Sequence, residues 1–344
     1  MKKTLNVLQQ SNDGYAAVCA ISIVSLLENN KHLDEINIYY LGYDLSAQSI
    51  ERLNKLTDSY INARLIMIDA EPYHNELKRL GVRPWRGIYV TWLKLLALKD
   101  LRINTDNILY LNAHTIVNSA LDELIDFDLG DAVMGLSYDC ILNEHKLTLG
   151  LKESDGYFNC GVMLINYKKW LTDNIGDDVV RHLKEKKDYV IVDQDFCNVL
   201  FKNKIQLISS TYNYSSAYYG YDLKRLLKVN NLSPEYFYSY EELMEEYYYP
   251  KIVHSLYGIQ GKPWELNNKH PQRFLWAKYI ELTPWKLTEM PKAKYSLNWF
   301  LYDILPSAIF MQIYKFAVSS KYATNKRNKF IIMIFELLTP QKGT

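Results

Sequence analysis

"NILYLNAHTIV", residues 107–117, is the stretch on which the reading of this chain turns. An apolar strand (Ile108, Leu109, Tyr110, Leu111) runs into Asn112, Ala113 and His114, then returns to apolar Ile116 and Val117. Strand ends that carry chemistry commonly present two carboxylates with one small residue between them, as a clamp for a divalent cation. Here the small residue is present, but both flanking positions hold neutral, metal-capable side chains. A dead metal site, an altered one and no site at all are each compatible with this stretch alone.

The neighbouring sequence supplies the fold. Residues 4–8 read as a strand ending at the polar turn Ser11-Asn12-Asp13-Gly14, after which Ala17, Ala20, Ile21, Val24 and Leu27 recur at helical spacing. Residues 36–42 form a second strand, and Ser46 is placed to N-cap a helix carrying Ile50, Leu53 and Leu56. Residues 63–69 make a third strand, 88–99 a helix, and 107–111 a fourth strand. This β-α-β-α order predicts an α/β protein with a parallel, doubly wound sheet, whose ligands bind beyond the carboxyl ends of the strands. Ser11–Tyr15 and Asn112–His114 both lie at such ends. The middle, 157–170, 192–201 and 206–214, reads as a second layer. A nicotinamide-type dinucleotide fold is remote, because the first strand–helix turn lacks GxGxxG.

Composition narrows the class. The 344 residues are 48% hydrophobic, and 40 basic side chains nearly cancel 39 acidic ones. That balance lacks the basic footprint of a nucleic-acid binder, so none is expected as a partner. The 29 tyrosines suit sugar faces, interfaces or membrane margins as well as a core. Cys19, Cys140, Cys160 and Cys197 are far apart and form no CxxC pair, so buried free thiols are expected. The first 14 residues become polar too soon for a signal peptide, and no stretch approaches ~18 uncharged apolar residues. A cytoplasmic location is the expectation.

After about residue 265 the character changes. Residues 296–318 are apolar and aromatic but broken by Asp303 and Pro306, and 311–344 hold six Lys/Arg against one acidic residue, Glu336. Two readings stand: an interfacial segment on the inner face of a membrane, drawn to anionic lipid, or a helical cap packed on the main domain. The expected division is 1–265 as one domain and 266–344 as a helical, basic-aromatic extension.

Six pieces in order, SNDGYA (11–16), SLLENN (25–30), NILYLNAHTIV, YFNCGVMLIN (157–166), VDQDFCN (192–198) and HSLYGIQGKPW (254–264), resemble the retaining glycosyltransferases of family 8. The resemblance covers roughly residues 4–264. It implies a GT-A fold, a UDP-sugar donor, and transfer of a hexose with retention, with Mn²⁺ or another divalent cation held on the donor diphosphate. Carried over by position, the cation ligands become Asn112, His114 and His254, with both family aspartates replaced. Tyr15 falls where the family stacks on uracil, Asn12 and Asp13 near the base or ribose, and Lys94 where an arginine is usual. Asn159 and Gly161 fall at donor-sugar contacts, Asp193 and Gln194 at the sugar-binding and reaction face. Ala113 lies within the donor turn, and Gly258, Gly261 and Lys262 correspond to the phosphate-binding turn, with Lys262 also acting on the leaving group.

Neutral ligands leave the cation at +2 until the diphosphate arrives, and imidazole shifts preference toward Mn²⁺, Co²⁺ or Zn²⁺ over Mg²⁺. A metal-free alternative uses protonated His114 with Lys262 and Lys94 as a cationic clamp. A lapsed site is the third. The implied acceptor is a surface glycan, a lipid-linked saccharide or a glycoprotein, positioned with help from the tyrosine-rich 235–250 segment and the C-terminal tail. The competing reading is a non-catalytic subunit that binds glycan or stabilises a partner enzyme.

Overall fold

The computed structural model describes residues 2–185, 188–256 and 259–322. Its centre is a seven-stranded sheet. Strands β1 (Thr4–Asn12), β2 (Glu35–Tyr43), β3 (Ala63–Asp69) and β4 (Asn107–Leu111) form its parallel part, in the order β3-β2-β1-β4. Helix α1 (Asp13–Asn29) follows β1, and α2 (Ala47–Asp58) follows β2 with Ser46 as its cap, its side chain accepting from Ser49 N. The predicted 88–99 helix is shorter and tighter. A 3₁₀ turn (Val90–Trp92) leads into α4 (Leu93–Ala97), and α3 (Glu71–Leu80), which the sequence reading left unassigned, precedes them.

The middle of the chain corrects one expectation. YFNCGVMLIN is no second layer: it is β7 (Phe158–Asn166), inserted into the main sheet antiparallel to β4 and to β6 (Met134–Tyr138). Its apolar residues run without alternation because both faces of this central strand are covered, the pattern of a strand buried on two sides. β8 (Ile205–Leu207) closes the edge in parallel with β6. Leu109 and Leu111 of β4 face the core under α1, whereas Ile108 and Tyr110 face the core under α4 and α8 (Val192–Leu200). The period of two along a strand thus divides one sheet between two apolar layers.

A small second sheet sits at the carboxyl edge of the first. β5 (Thr115–Val117) pairs antiparallel with β10 (Ile252–His254), which pairs in parallel with β9 (Tyr214–Ser215). The SLLENN stretch explains its placement. Ser25 Oγ accepts from Val117 N (2.9 Å), Asn29 Nδ2 donates to Val117 O (3.0 Å), and Asn30 Oδ1 accepts from Leu121 N (2.9 Å). The polar residues of α1 therefore satisfy the otherwise open edge of β5.

Downstream, Trp276, Tyr279 and Ile280 of the helix Arg273–Ile280 pack into the core under α1. Pro306 separates the helices Leu297–Ile304 and Ser307–Tyr322. Phe310 and Met311 are buried against Tyr214, Tyr218 and Leu226, while Phe300, Ile304, Ile309 and Phe316 stand exposed. The basic tail beyond residue 322 lies outside the described residues. Among those residues no helix is long and apolar enough to cross a membrane.

Candidate active site

The sheet order brings the chemistry-bearing turns together. β1, β4 and β6 end at one edge of the main sheet, and antiparallel β7 begins there. The register Leu111↔Val162 lets Asn112 N donate to Gly161 O (2.8 Å). Gly161 N in turn donates to Asn159 Oδ1 (2.8 Å), which also accepts from Asn213 Nδ2 (3.0 Å). His254 closes β10 opposite Thr115, and Ser255 N donates to His114 O (2.9 Å). Gly161 is required by contact: a Cβ there would lie 2.6 Å from both ring nitrogens of His254. Asn112, Ala113, His114, Asn159, Gly161 and His254 are thus one constellation.

The imidazoles of His114 and His254 stack with centroids 4.8 Å apart and planes 15° from parallel, and Trp264 also stacks on His114 at 5.9 Å. Burial, with a contribution from Lys262, lowers His114 to about 4. Burial, with His114 beside it, holds His254 well below the ordinary imidazole range. Both rings are neutral at pH 7. Burial and the neighbouring Lys262 both disfavour a charged His114, which weighs against the clamp built on its protonated form.

The fit to a divalent cation rests on donor chemistry. Among the described residues no three His, Cys, Asp or Glu side chains gather as a metal cage. Yet His114 Nδ1 and both ring nitrogens of His254 are buried without a hydrogen-bond partner. Such orphans are uncommon in folded proteins and call for an explanation, which a bound ligand would supply here. Neutral imidazole is also the form that ligates. Asn112 Nδ2 lies 3.2 Å from His114 Nε2, and a neutral imidazole has a single lone pair, so His254 offers one ring nitrogen to a divalent ion, and His114 offers one only where its bond to Asn112 gives way.

Deeper in the site Lys94 and Asp193 form an ion pair of 2.5 Å, with Lys94 fully buried and Asp193 nearly so. Burial opposes the Lys94 charge, but the Asp193 carboxylate overrides it and raises the ammonium above its usual value. Lys94 Nζ also donates to Thr91 O (2.7 Å) and lies 4.6 Å from the Tyr110 ring centre. Lys94 is accordingly committed to Asp193 and is no free member of a phosphate clamp.

Gln194 is held from three sides. Its Oε1 accepts from Cys160 N (3.2 Å), and its Nε2 donates to Asp139 Oδ2 (2.8 Å) and Tyr157 Oη (3.2 Å). Tyr157 Oη donates to Asp195 (2.6 Å), a fully buried carboxylate bonded also to His145 (2.7 Å) and Ile191 N (2.7 Å). The sequence reading missed Asp139, Tyr157, Asp195 and His145. Asp139 had a signal: it directly follows β6, whose end lies at the same edge as Asn112. Desolvation raises its carboxyl above the ordinary value.

The remaining candidates line the mouth. Lys262 Nζ lies 3.2 Å from Tyr15 Oη, 5.6 Å from the Tyr15 ring centre and 5.5 Å from that of Trp264. Tyr15 meets Trp264 edge to face at 6.4 Å. Gly261 carries Lys262 on a turn with φ +88°, a backbone state open to glycine and strained for other residues. Asn12 occupies the N-cap position of α1 in an extended conformation without a side-chain capping bond, and Asp13 accepts from Ser46 N (2.9 Å) and Oγ (2.7 Å), tying α1 to α2. Gly258 lies outside the described residues.

Over 303 residues the chain is 27% identical to the lipopolysaccharide 1,2-glucosyltransferase of Escherichia coli, covering 85% of this chain and 82% of that protein. It is 26% identical over 284 residues to the lipopolysaccharide 1,3-galactosyltransferase of Salmonella typhimurium, covering 78% and 75%. Among solved structures, the galactosyltransferase LgtC in complex with donor and acceptor sugar analogues aligns with a TM-score of 0.65 at 22% identity, over 82% of this chain and 97% of that one. That likeness shows the expected GT-A fold. The sequence model of glycosyl transferase family 8 matches residues 6–268, and the chain belongs to that family.

Proposed function

We propose that the chain is a retaining hexosyltransferase that moves glucose or galactose from a UDP-sugar to a surface glycan, a lipid-linked saccharide or a glycoprotein. The observation that carries this reading is the convergence of Lys262, Tyr15 and Trp264 with Asn112, His114 and His254 at one sheet edge, beside the fixed amide of Gln194. Tyr15 offers an aromatic face to the uracil. Lys262, placed by the Gly261 turn, offsets the negative charge that develops on the departing UDP. Gln194 Oε1 keeps one lone pair after accepting from Cys160 N, and its anchored amide aims that oxygen. A neutral carboxamide is a poor nucleophile, which favours departure and attack on the same sugar face over a stable glycosyl-glutamine. Asp193, fixed by Lys94, is placed to bind sugar hydroxyls.

Family 8 enzymes generally depend on a divalent cation. Asn112, His114 and His254 would hold it here, and when bound it would supply further charge neutralisation at the diphosphate. Nitrogen-binding ions such as Co²⁺, Zn²⁺ or Mn²⁺ suit this donor set better than Mg²⁺.

The second reading, a non-catalytic glycan-binding subunit, draws on the loss of both carboxylates at 112 and 114. Calorimetric titration with UDP, with and without Mn²⁺, separates the two. The transferase reading expects saturable UDP binding that Lys262→Ala weakens. No heat of binding under either condition would sink it in favour of the binding module.

A further inference from the structure

A cleft of about 620 Å³ opens beside the second sheet, lined in part by residues that follow β5 and residues that precede β10. Asn118, one of its lining residues, donates its N–H to Lys251 O (2.7 Å), where β5 and β10 leave each other. From there to His254 is about 10 Å at the usual rise per strand residue. One wall is aromatic. Tyr219 and Tyr247 have centroids 4.9 Å apart, Tyr247 and Tyr248 5.0 Å, and Tyr248 and Tyr249 6.4 Å. Tyr248 and Tyr249 are 73% and 87% exposed, the two tyrosines most open to water among the large exposed hydrophobic side chains. Asn118 and Gln272 add amides from the other elements of the lining, which among the described residues includes no Lys, Arg, Asp or Glu.

We propose that this cleft is a binding subsite for a neutral oligosaccharide, separate from the donor site. The choice of saccharide rests on the transferase reading above, which it deepens. Tyrosine rings present flat apolar faces to the C–H face of a pyranose and hydroxyls to its rim, and amides complete the hydrogen bonding. The volume falls within the range of small-ligand pockets. A lining free of charge disfavours phosphate, nucleotide and anionic lipid, each of which calls for Lys or Arg. The wall is anchored from below, because Tyr214 touches Tyr219 at 5.3 Å and donates its hydroxyl to Leu243 O (2.7 Å). Such a subsite would hold the existing part of a growing glycan while its end reaches the reaction centre.

The test is direct binding by saturation-transfer NMR of the full chain with lactose, maltotriose and cellotriose, and sialyllactose as an anionic control. The expected result is that at least one neutral probe binds. Tyr248→Ala/Tyr249→Ala should weaken it tenfold or more, while UDP affinity stays at the wild-type value. Both side chains are exposed, so the variant keeps the fold, and Gln272→Ala gives a second, milder loss. Absence of binding for every neutral probe at millimolar concentration would overturn the proposal, as would probe binding indifferent to the double variant. Attachment to phosphatidylglycerol vesicles through Tyr248 and Tyr249, with no saccharide bound, would assign the cleft to a lipid surface instead. Probe binding is read without turnover, so it survives or fails separately from the transferase reading.

Discussion

Replacing Lys94 by Met strands a carboxylate inside the protein. Lys94 is 1% exposed and Asp193 8%, and their polar atoms lie 2.5 Å apart. At an effective dielectric near 20 the gross attraction is about 7 kcal/mol. Desolvating both ions offsets most of it, so the pair's net contribution is small, while removal of one partner costs ~3–5 kcal/mol. Lys94→Met and Asp193→Asn should each be destabilised on that scale. Their double variant should lose clearly less than the sum, with a coupling of roughly 0.5–3 kcal/mol toward the upper end. Urea denaturation at constant m-value measures all three. The raised ammonium fixes the pH window. Its contribution is complete below the unfolded lysine value, about 10.4, and is lost only as pH climbs through the higher folded value, so the coupling should be flat between pH 7 and 9. Additive losses, or single variants within ~1 kcal/mol of wild type, would refute the view that Lys94 exists to hold Asp193.

Two further outcomes follow from the histidine pair. Gly161→Ala should drive the His254 ring from its place, at a cost of ~1–3 kcal/mol by overpacking, and should weaken UDP affinity; a variant with wild-type stability and affinity would show that the ring is not confined there. His114 and His254 are held neutral, so the unfolded chain binds more protons than the folded one below about pH 6.5. Stability should therefore fall as pH drops from about 6.5 toward 4. His270, lowered to about 4 by burial, shares that window. His114→Asn should flatten part of the fall, and an unchanged pH profile would contradict the assignment.

Much of the parallel half of the sheet was legible because its strands and helices keep separate periods. β4 ends at Leu111 as the apolar run does, and Ser46 caps α2 as its residue type suggests. β7 was misplaced because a strand covered on both faces shows no alternation, and its antiparallel insertion depends on long-range pairing with β4 and β6. His254 and Lys262 could be named from the sequence as single residues, and the fold brings them beside His114 and Tyr15 respectively. The supporting residues of the site could not, because Asp139, Tyr157, His145 and Asp195 meet only through the fold, across 38 to 55 residues of chain. The charge state of His114 was equally invisible: it follows from burial beside His254, Trp264 and Lys262, which no spacing reveals.

The central claim is that a family 8 site with neutral residues at 112 and 114 still transfers a hexose. Release of UDP from a panel of UDP-hexoses tests it most directly, using EDTA-treated protein with Mn²⁺, Co²⁺, Zn²⁺ or Mg²⁺ restored singly. The expected result is turnover of UDP-glucose or UDP-galactose that is restored better by Co²⁺, Zn²⁺ or Mn²⁺ than by Mg²⁺, and lost in Lys262→Ala and His254→Ala. UDP release equal in wild type and both variants, or none from any donor with any ion, would contradict it.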